Sequence, residues 1–326
     1  MLVREHVERY LATQSALVEA STITTLRERL GATDVPAERR RPKKHRTFLE
    51  AFGNLTLHDL GRRAQELAAW HATLPEGSRY GTMQAVRQTL EAAKRWGLLT
   101  QNPAKLAGKN PQPKNPEVEP FADVEEIDRL ADELGPWGPL VVFASETGLR
   151  PCEWLALEWR DVSRAEGVVR VERSFTARGG LKEYGKTARS RRPVPLTDRA
   201  LHALALVPRR LDCPLVFSAP GGGGGKRRGA GGYIDLHNWR ARDWYPALEA
   251  AGLPRHDVYC MRHTFATWPL DAGIEIFELA RYMGSSARTI DLYYGHLAKG
   301  STARARDKLN LRATNAQNGA QRAGNP

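Results

Sequence analysis

Four short segments of the sequence carry side chains that suit chemistry on a phosphate diester. Arg150 and Arg262 each present a guanidinium fork, which can donate two parallel hydrogen bonds to phosphate oxygens. Lys186 can protonate a leaving oxygen, and the adjacent Tyr293 and Tyr294 offer a phenol, which loses its proton more easily than an alcohol does. Phosphoryl transfer without a metal requires such cations, together with an in-line nucleophile and an acid.

The residues around Arg150 form the first recognisable pattern. Residues 147–157 read TGLRPCEWLAL and resemble the first arginine box of the tyrosine recombinase (phage integrase) family, TGLR-x-x-E-x-x-x-L. The resemblance implies that Arg150 is the first catalytic arginine and that Glu153 orients it. An incidental ion pair on a buried helical turn is the alternative interpretation when this segment is taken alone.

A lysine pattern follows about 30 residues later. Residues 186–196 read KTARSRRPVPL and resemble the hairpin pattern of the same family, KT-x-x-S-x-R-x-x-x-L. The resemblance implies that Lys186 is the general acid, with Lys182 as the alternative if the register of the hairpin is displaced. A charged hairpin without a role in chemistry is the competing interpretation.

The second arginine pattern departs from the family at one position. Residues 259–267 read YCMRHTFAT and resemble H-x-x-R-H-T-F-A-T, which implies that Arg262 is the second catalytic arginine. Tyr259 stands where histidine is usual, and a phenol there can hydrogen-bond the phosphate and relay a proton. His256, one helical turn earlier if the helix extends that far, is the alternative for this role. We interpret His263 as a packed or capping histidine.

The last pattern concerns the nucleophile. The family has L-G-H-S-S followed by a tyrosine nine residues after the histidine, whereas this chain reads MGSS and places Ser285 at the histidine position. The nine-residue count selects Tyr294 over Tyr293, and residues 294–297 match the Y-G-H-L ending common in integrases. Ser285 can donate a hydrogen bond but does not mimic a large ring. The alternative is that the two tyrosines simply pack in a core. The presence of four patterns in the same order as in the family disfavours this alternative.

The elements that must position these residues change character along the chain. Helical spacing covers residues 1–30, 57–74 and 79–96, with Ser78 as a candidate cap for the last helix. After residue 121, helical patterns alternate with short strand patterns. We therefore expect a mainly α fold with a small antiparallel β-sheet, in which an all-helical N-terminal core-binding domain precedes an α+β catalytic domain.

Domain boundaries follow from composition. Residues 109–120 contain four prolines, which favours a semi-rigid linker. The expected organisation is a helical DNA-clamping domain over residues 1–112, a linker over 113–120, a catalytic domain over 121–312 and a disordered polar tail over 313–326. The resemblance covers residues 120–312 strongly and the first domain more weakly, chiefly through WGLLTQNPA.

The charge of the chain favours a polyanionic partner. Its 326 residues include 49 lysines and arginines against 37 acidic residues, a formal charge of +12. Residues 1–120 hold 19 of these basic and 13 of these acidic residues, a charge of +6, and residues 121–326 carry the remaining +6. The cysteines form no CxxC pair and no Walker A pattern occurs, so no metal or cofactor is expected. Without an apolar run of ~20 residues, we expect a cytoplasmic, nucleoid-associated protein rather than a membrane-bound one.

The resemblance implies a function as well as a fold. A site-specific recombinase (integrase) cleaves and rejoins DNA through a 3′-phosphotyrosyl intermediate. Its expected partners are double-stranded recombination sites gripped by both domains, other copies in a DNA-bound tetramer, and accessory DNA-bending or directionality factors. A catalytically impaired DNA-binding relative is the alternative, which the departures at Tyr259 and Ser285 favour. A type IB-like topoisomerase shares the chemistry, but the first domain disfavours it.

Overall fold

A computed structural model of the chain describes residues 1–32, 45–113, 119–183, 191–220 and 232–295. The chain divides between residues 116 and 117 into two compact units. Lys186, the expected tail and most of the proline-rich linker lie outside the described residues. None of the described helices combines the length and the apolarity that a membrane crossing requires.

The first unit is built from helices throughout its described residues. These are α1 Val3–Ser15, α2 Ala20–Leu30, α3 Phe48–Phe52, α4 Leu57–Gly61, α5 Ala64–Thr73, α6 Glu76–Arg95 and α7 Pro103–Leu106. Their apolar faces meet in one core, to which Leu11, Leu30, Leu60 and Leu90 contribute fully buried side chains. The helical character of this unit agrees with the expected fold class.

The single helix predicted over residues 1–30 is wrong, because the chain turns between Ser15 and Ala20. Glu19 has an extended backbone and immediately precedes α2. A continuous helix over these residues would be about 45 Å long at ~1.5 Å per residue. Such a helix could not bury Tyr10 and Leu30 in one core, as the two shorter helices do.

Two further helix predictions in this unit are corrected. The helix predicted over residues 57–74 is broken after Gly61, whose low helix propensity favours an end at this place, and α5 begins at Ala64. Ser78 does not cap α6, because the helix begins earlier, after Pro75. The carbonyl of Pro75 accepts the backbone N–H groups of Ser78 and Arg79 over 3.0 and 2.8 Å.

The second unit combines helices with short strands. Its helices are α8 Val124–Leu134, α9 Gly138–Thr147, α10 Pro151–Trp154, α11 Asp198–Leu206, α12 Leu236–Trp239, α13 Tyr245–Ala250, α14 Cys260–Asp271, α15 Ile276–Met283 and α16 Ala287–Tyr294. A π-helical turn, Arg240–Trp244, joins α12 to α13. Asp123 caps the start of α8, since its Oδ1 accepts the backbone N–H of Glu126 over 2.9 Å.

The strands form two small antiparallel sheets. They are β1 Val162–Ser163, β2 Val168–Val171, β3 Arg173–Thr176, β4 Gly180–Glu183 and β5 Arg192–Pro195. The central strand β2 pairs with β1 and with β5, and Val169 lies opposite Val194 in a register that buries both. A separate hairpin joins β3 to β4. The predicted mainly α fold with a small antiparallel β component is confirmed.

The last three helices form a small core of their own. Phe265, Leu279, Met283, Ile290 and Tyr294 are among its buried members. This core meets the end of α9, where Gly148 has a φ of 60°. A Cβ on Gly148 would lie 2.2 Å from Cδ1 of Phe265, so only glycine allows this close approach. The contact places the Arg150 segment beside α14.

Candidate active site

Arg150 immediately precedes the short helix α10, and Glu153 lies one turn further along. The backbone N–H of Arg150 donates to Glu153 Oε2 over 2.8 Å, and Arg150 Nη1 donates to Oε1 over 2.9 Å. Pro151 favours the helix start because its φ is already fixed near the helical value. The side chain of Glu153 is 0% exposed. The structure therefore places the two residues together, as their spacing predicted.

Arg192, the first residue of β5, contacts the same carboxylate. Its Nη2 lies 2.8 Å from Glu153 Oε2, and its Nη1 lies 3.1 Å from Oε1. Burial alone would raise the pKa of Glu153, but the hydrogen bonds and charge of Arg192, with those of Arg150, hold it below its ordinary value. No role for Arg192 was predicted from the sequence, although it is the arginine of the KT-x-x-S-x-R pattern, which was the signal available.

Arg262 lies in the first turn of α14 and is only 4% exposed. Its Nη1 donates to Gly148 O over 2.6 Å, and its Nη2 donates to Met283 O over 2.7 Å. Among the described residues no carboxylate pairs with this guanidinium. Burial and the nearby charge of Arg150 lower the pKa of Arg262 to about 10, so it remains a cation at neutral pH.

Three consecutive carbonyls at the C-terminal end of α15 accept hydrogen bonds from the three arginines. The carbonyls of residues 282, 283 and 284 accept from Arg192 Nε, Arg262 Nη2 and Arg150 Nη2 over 2.5, 2.7 and 2.8 Å respectively. The last carbonyls of a helix lack partners within it and carry partial negative charge, which favours cations at this end. We call Arg150, Arg192 and Arg262 the arginine cluster.

Tyr294 and His263 form a direct pair between α16 and α14. The Tyr294 hydroxyl lies 2.6 Å from Nδ1 of His263, and Tyr294 is 4% exposed. Burial raises the pKa of Tyr294 to about 12, although the charge of Arg262 acts in the opposite direction. Burial, followed by the charge of Arg262, lowers the pKa of His263 to about 4. The interpretation of His263 as a packed residue missed this contact, because the sequence does not reveal which side chain faces the tyrosine.

Tyr259 and His256 have different surroundings, which bears on the choice left open between them. Tyr259 precedes α14, is 36% exposed, and its ring centroid lies 5.2 Å from that of His263. His256 is buried with its ring against the edge of Phe121, at 4.9 Å between centroids. Tyr259 therefore lies near the His263–Tyr294 pair, whereas His256 packs in the core.

Ser285 lies directly after the turn that binds the arginine cluster. It lines an open cavity of about 610 Å³ together with Arg192 and Ser286. The preceding Gly284 has a φ of 58°, and a Cβ there would lie 2.8 Å from Arg192 Nη1. Tyr293, the rejected candidate for the nucleophile, is half-buried, with its ring centroid 6.3 Å from that of Tyr294.

Of the two lysine candidates, Lys182 lies within the described residues. Lys186 lies outside the described residues, so its assignment rests on the sequence pattern. The alternative, Lys182, is on β4 opposite Ser174. Within the described ranges, no group of three or more His, Cys, Asp or Glu side chains is arranged to hold a metal ion.

Comparison with known proteins identifies relatives of this chain. No family model matches it. The prophage integrase IntR of Escherichia coli K12 is 30% identical over 200 residues, which cover 54% of this chain and 47% of that protein. A XerC-like tyrosine recombinase of Caldanaerobacter subterraneus is 26% identical over 248 residues, covering 66% of this chain and 61% of that protein. The chain is a relative of the tyrosine recombinases.

A third relative of this kind is the integrase of Salmonella phage P22. It is 28% identical over 220 residues, which cover 65% of this chain and 52% of that integrase. The chain thus spans about half the length of the E. coli and P22 integrases that it matches.

Solved structures of integrases share the fold. The Tn1549 transposon integrase in complex with transposon right end DNA has a TM-score of 0.69 at 16% identity, covering 96% of this chain and 100% of that one. A lambda integrase dimer bound to a COC′ core site has a TM-score of 0.61 at 14% identity, covering 92% of this chain and 97% of that one. At such low identities these tyrosine recombinase structures support the fold alone.

Proposed function

We propose that the chain is a site-specific DNA recombinase of the integrase kind, which cleaves and rejoins DNA through a 3′-phosphotyrosyl intermediate. The observation that carries this proposal is the environment of Arg262. This cation is buried, bonds to backbone carbonyls, and lies close enough to Arg150 for that charge to lower its pKa. A buried charge is costly unless it is paired, so a substrate anion would complete the site.

A phosphate diester fits this requirement better than a monatomic anion. The planar guanidinium fork donates parallel hydrogen bonds to two phosphate oxygens. As the nucleophile attacks, negative charge develops on these oxygens, and preorganised cations stabilise it without further reorganisation. In this proposal Arg150 and Arg262 bind the phosphate, while Glu153 holds the guanidinium of Arg150 in position.

Tyr294 is the proposed nucleophile because its hydroxyl lies within the electrostatic reach of Arg262. Its oxygen attacks the phosphorus, forms the phosphotyrosine and displaces the 5′ oxygen of the next nucleotide. Lys186 protonates that oxygen, while Tyr259 and Ser285 donate hydrogen bonds to the phosphate. The phosphotyrosine retains the energy of the broken ester bond, so rejoining needs no nucleotide cofactor.

Duplex DNA containing recombination sites is the proposed substrate, and both units are proposed to bind it. The formal charge of +12 supports a polyanionic partner. DNA complexes of the Tn1549 and lambda integrases, which share the fold, support the same assignment. Strand exchange would then require a tetramer on DNA, with accessory bending or directionality factors as further partners.

A covalent trapping experiment tests this function and does not require a target sequence to be chosen beforehand. The full chain is incubated with randomly nicked fragments of the genome that encodes it. When a nick lies just beyond the cleavage site, cleavage frees the short strand that carries the 5′ hydroxyl. Without this strand the DNA cannot be rejoined, so the covalent adduct stays trapped. Complexes that survive detergent are recovered and sequenced. We expect adducts at one recurrent sequence, joined to the protein through a 3′ phosphate.

Two variants control this experiment. Tyr294→Phe should form no adduct while still binding the recovered sequence, whereas Tyr293→Phe should form the adduct. If the wild type binds specific fragments but never becomes attached to them, the chain is the catalytically impaired DNA-binding relative instead. If Tyr293→Phe alone abolishes the adduct, the register of the nucleophile is wrong.

A further inference from the structure

Within the part of the chain that the structure describes, His263 places a potential proton acceptor beside the Tyr294 hydroxyl. The hydroxyl oxygen lies 2.6 Å from Nδ1, which is hydrogen-bonding distance. The two residues come from different helices, α14 and α16, whose buried faces share one small core. The contact therefore depends on the tertiary fold and not on neighbouring positions in the sequence.

Other described groups near this hydroxyl are poor proton acceptors. The guanidinium of Arg262 has no acceptor atom. Tyr259 and Tyr293 are themselves phenols, and a neutral hydroxyl is a much weaker proton acceptor than a neutral imidazole nitrogen. The thiol of Cys260 donates to the carbonyl of Glu119, and burial raises its pKa to about 12.

The imidazole of His263 has the protonation state that a base requires. Burial, followed by the charge of Arg262, lowers its pKa to about 4, while the carboxylate of Asp257 acts in the opposite direction. The ring is consequently neutral at physiological pH. With its proton on Nε2, Nδ1 presents a lone pair to the hydroxyl of Tyr294.

We propose that His263 is a catalytic residue that accepts the proton of the Tyr294 hydroxyl as its oxygen attacks the DNA phosphate. This role rests on the proposed recombinase function. The Tyr294 oxygen–phosphorus bond forms, the bond from phosphorus to the 5′ oxygen breaks, and the phenolic proton moves to Nδ1. In the rejoining step the 5′ hydroxyl attacks the phosphotyrosine and returns its own proton to the acid that supplied it during cleavage, while the imidazolium returns the phenolic proton to the departing Tyr294 oxygen.

The resting pair keeps its proton on the tyrosine, because burial raises the pKa of Tyr294 to about 12. Transfer becomes favourable only as the new bond to phosphorus removes electron density from the phenol oxygen. The nucleophile is therefore inactive until a phosphate is in place. Proton transfer accompanies attack and does not precede it.

The pH dependence of adduct formation separates this role from simple packing. With the base present, the single-turnover rate on the nicked site should vary little between about pH 6 and 8, because His263 is already neutral. His263→Asn can keep a hydrogen-bond acceptor near Nδ1 but cannot take the proton. We expect its rate to fall by about 10²–10⁴ at neutral pH, the usual contribution of a general base. Its rate should then rise about tenfold per pH unit, since attack requires a preformed phenolate.

The variants must remain folded and must bind DNA for this comparison. Thermal unfolding and noncovalent binding of His263→Asn should match those of Tyr294→Phe. If His263→Asn does not fold, His263→Ala with added imidazole replaces it, and recovery of the rate with imidazole supports the base role. Failure of imidazole to restore the rate of a folded His263→Ala variant overturns it.

The remaining outcomes are also decisive. A slower His263→Asn variant whose pH profile stays flat shows a packing role and overturns the inference. A rate of His263→Asn within a few-fold of that of the wild type also overturns the inference. Both results leave the recombinase function intact, because the wild type still forms the adduct. Absence of any wild-type adduct would instead refute the proposed function on which the inference rests.

Discussion

The guanidinium of Arg192 lies 2.8 Å from the fully buried carboxylate of Glu153, although 39 residues separate them in the sequence. Two nitrogens of Arg192 reach the two oxygens of the carboxylate. This pairing joins β5 to the turn that carries Arg150. The position of Arg150 therefore depends on the first residue of β5.

Removal of Arg192 should strongly destabilise the second unit. Arg192→Met leaves Glu153 buried with one fewer cation, and breaking a buried ion pair in this way costs about 3–5 kcal/mol. The adjacent Arg191→Met is a matched control, since Arg191 pairs with Glu172 at the surface, where such a pair contributes ~0–1 kcal/mol. Urea unfolding of the two variants measures the difference. If the free energy of unfolding falls equally in both variants, the Arg192–Glu153 pair is not an important source of stability.

The acid dependence of stability should change in Glu153→Gln. Burial alone would raise the pKa of Glu153, but Arg192 and Arg150 hold it below the ordinary value. Stabilisation from a lowered pKa is fully present above the ordinary value of about 4.3 and is lost as pH falls through the folded-state pKa. Urea unfolding from about pH 7 to 3 should therefore show the wild-type stability falling toward that of the variant. Curves that stay parallel would contradict this expectation.

Loss of either arginine proposed to bind the phosphate should impair cleavage more than binding. Arg150→Ala or Arg262→Ala removes a preorganised donor, which typically costs about 10²–10³ in rate, or ~2.7–4 kcal/mol. Noncovalent affinity should fall much less, because the proposed DNA contacts would be shared among many other cations. The exposed Arg129, which pairs with Glu126 on α8, provides the control variant Arg129→Ala. Adduct rates within a few-fold of the wild type in both variants would place the site elsewhere.

The role of Lys186 can be separated from that of the arginines by changing the leaving group. In a 5′-bridging phosphorothioate the leaving group is a 5′ thiolate, which needs much less protonation than the 5′ oxygen of ordinary DNA. Lys186→Ala should be slow on ordinary DNA and recover on this substrate, whereas Arg150→Ala should remain slow on both. The ratio of adduct rates on the two substrates measures the effect. Equal defects of Lys186→Ala on both would exclude it as the acid and make Lys182 the next candidate.

The local parts of the site were predictable from the sequence. Arg150 and Glu153 are three residues apart, so a single helical turn is enough to bring them together. Asp123 caps the start of α8 and Gly284 caps the end of α15, and such caps can be recognised in a sequence because they depend on one residue and its nearest neighbours. The four patterns also led to the family, which the related integrases confirm.

The tertiary contacts could not be predicted in this way. The approach of Arg192 to Glu153 depends on how β5 lies beside α10, and no spacing in the sequence encodes it. His263 adjoins Arg262 and was interpreted as a packed residue, because the facing residue on α16 is 31 positions away. The predicted helix over residues 1–30 failed for a related reason, since helical periodicity does not show where a helix must turn to share a core.

The end of α15 also makes assembly of the site cooperative. Its three consecutive carbonyls bind arginines from three different segments, and the same small core contains Tyr294. A displacement of this helix by a few ångströms would break all three hydrogen bonds at once. Assembly of the cations and placement of the proposed nucleophile should therefore be all-or-none. A partly formed site, which under the proposed function would cut DNA but not reseal it, should be scarcely populated.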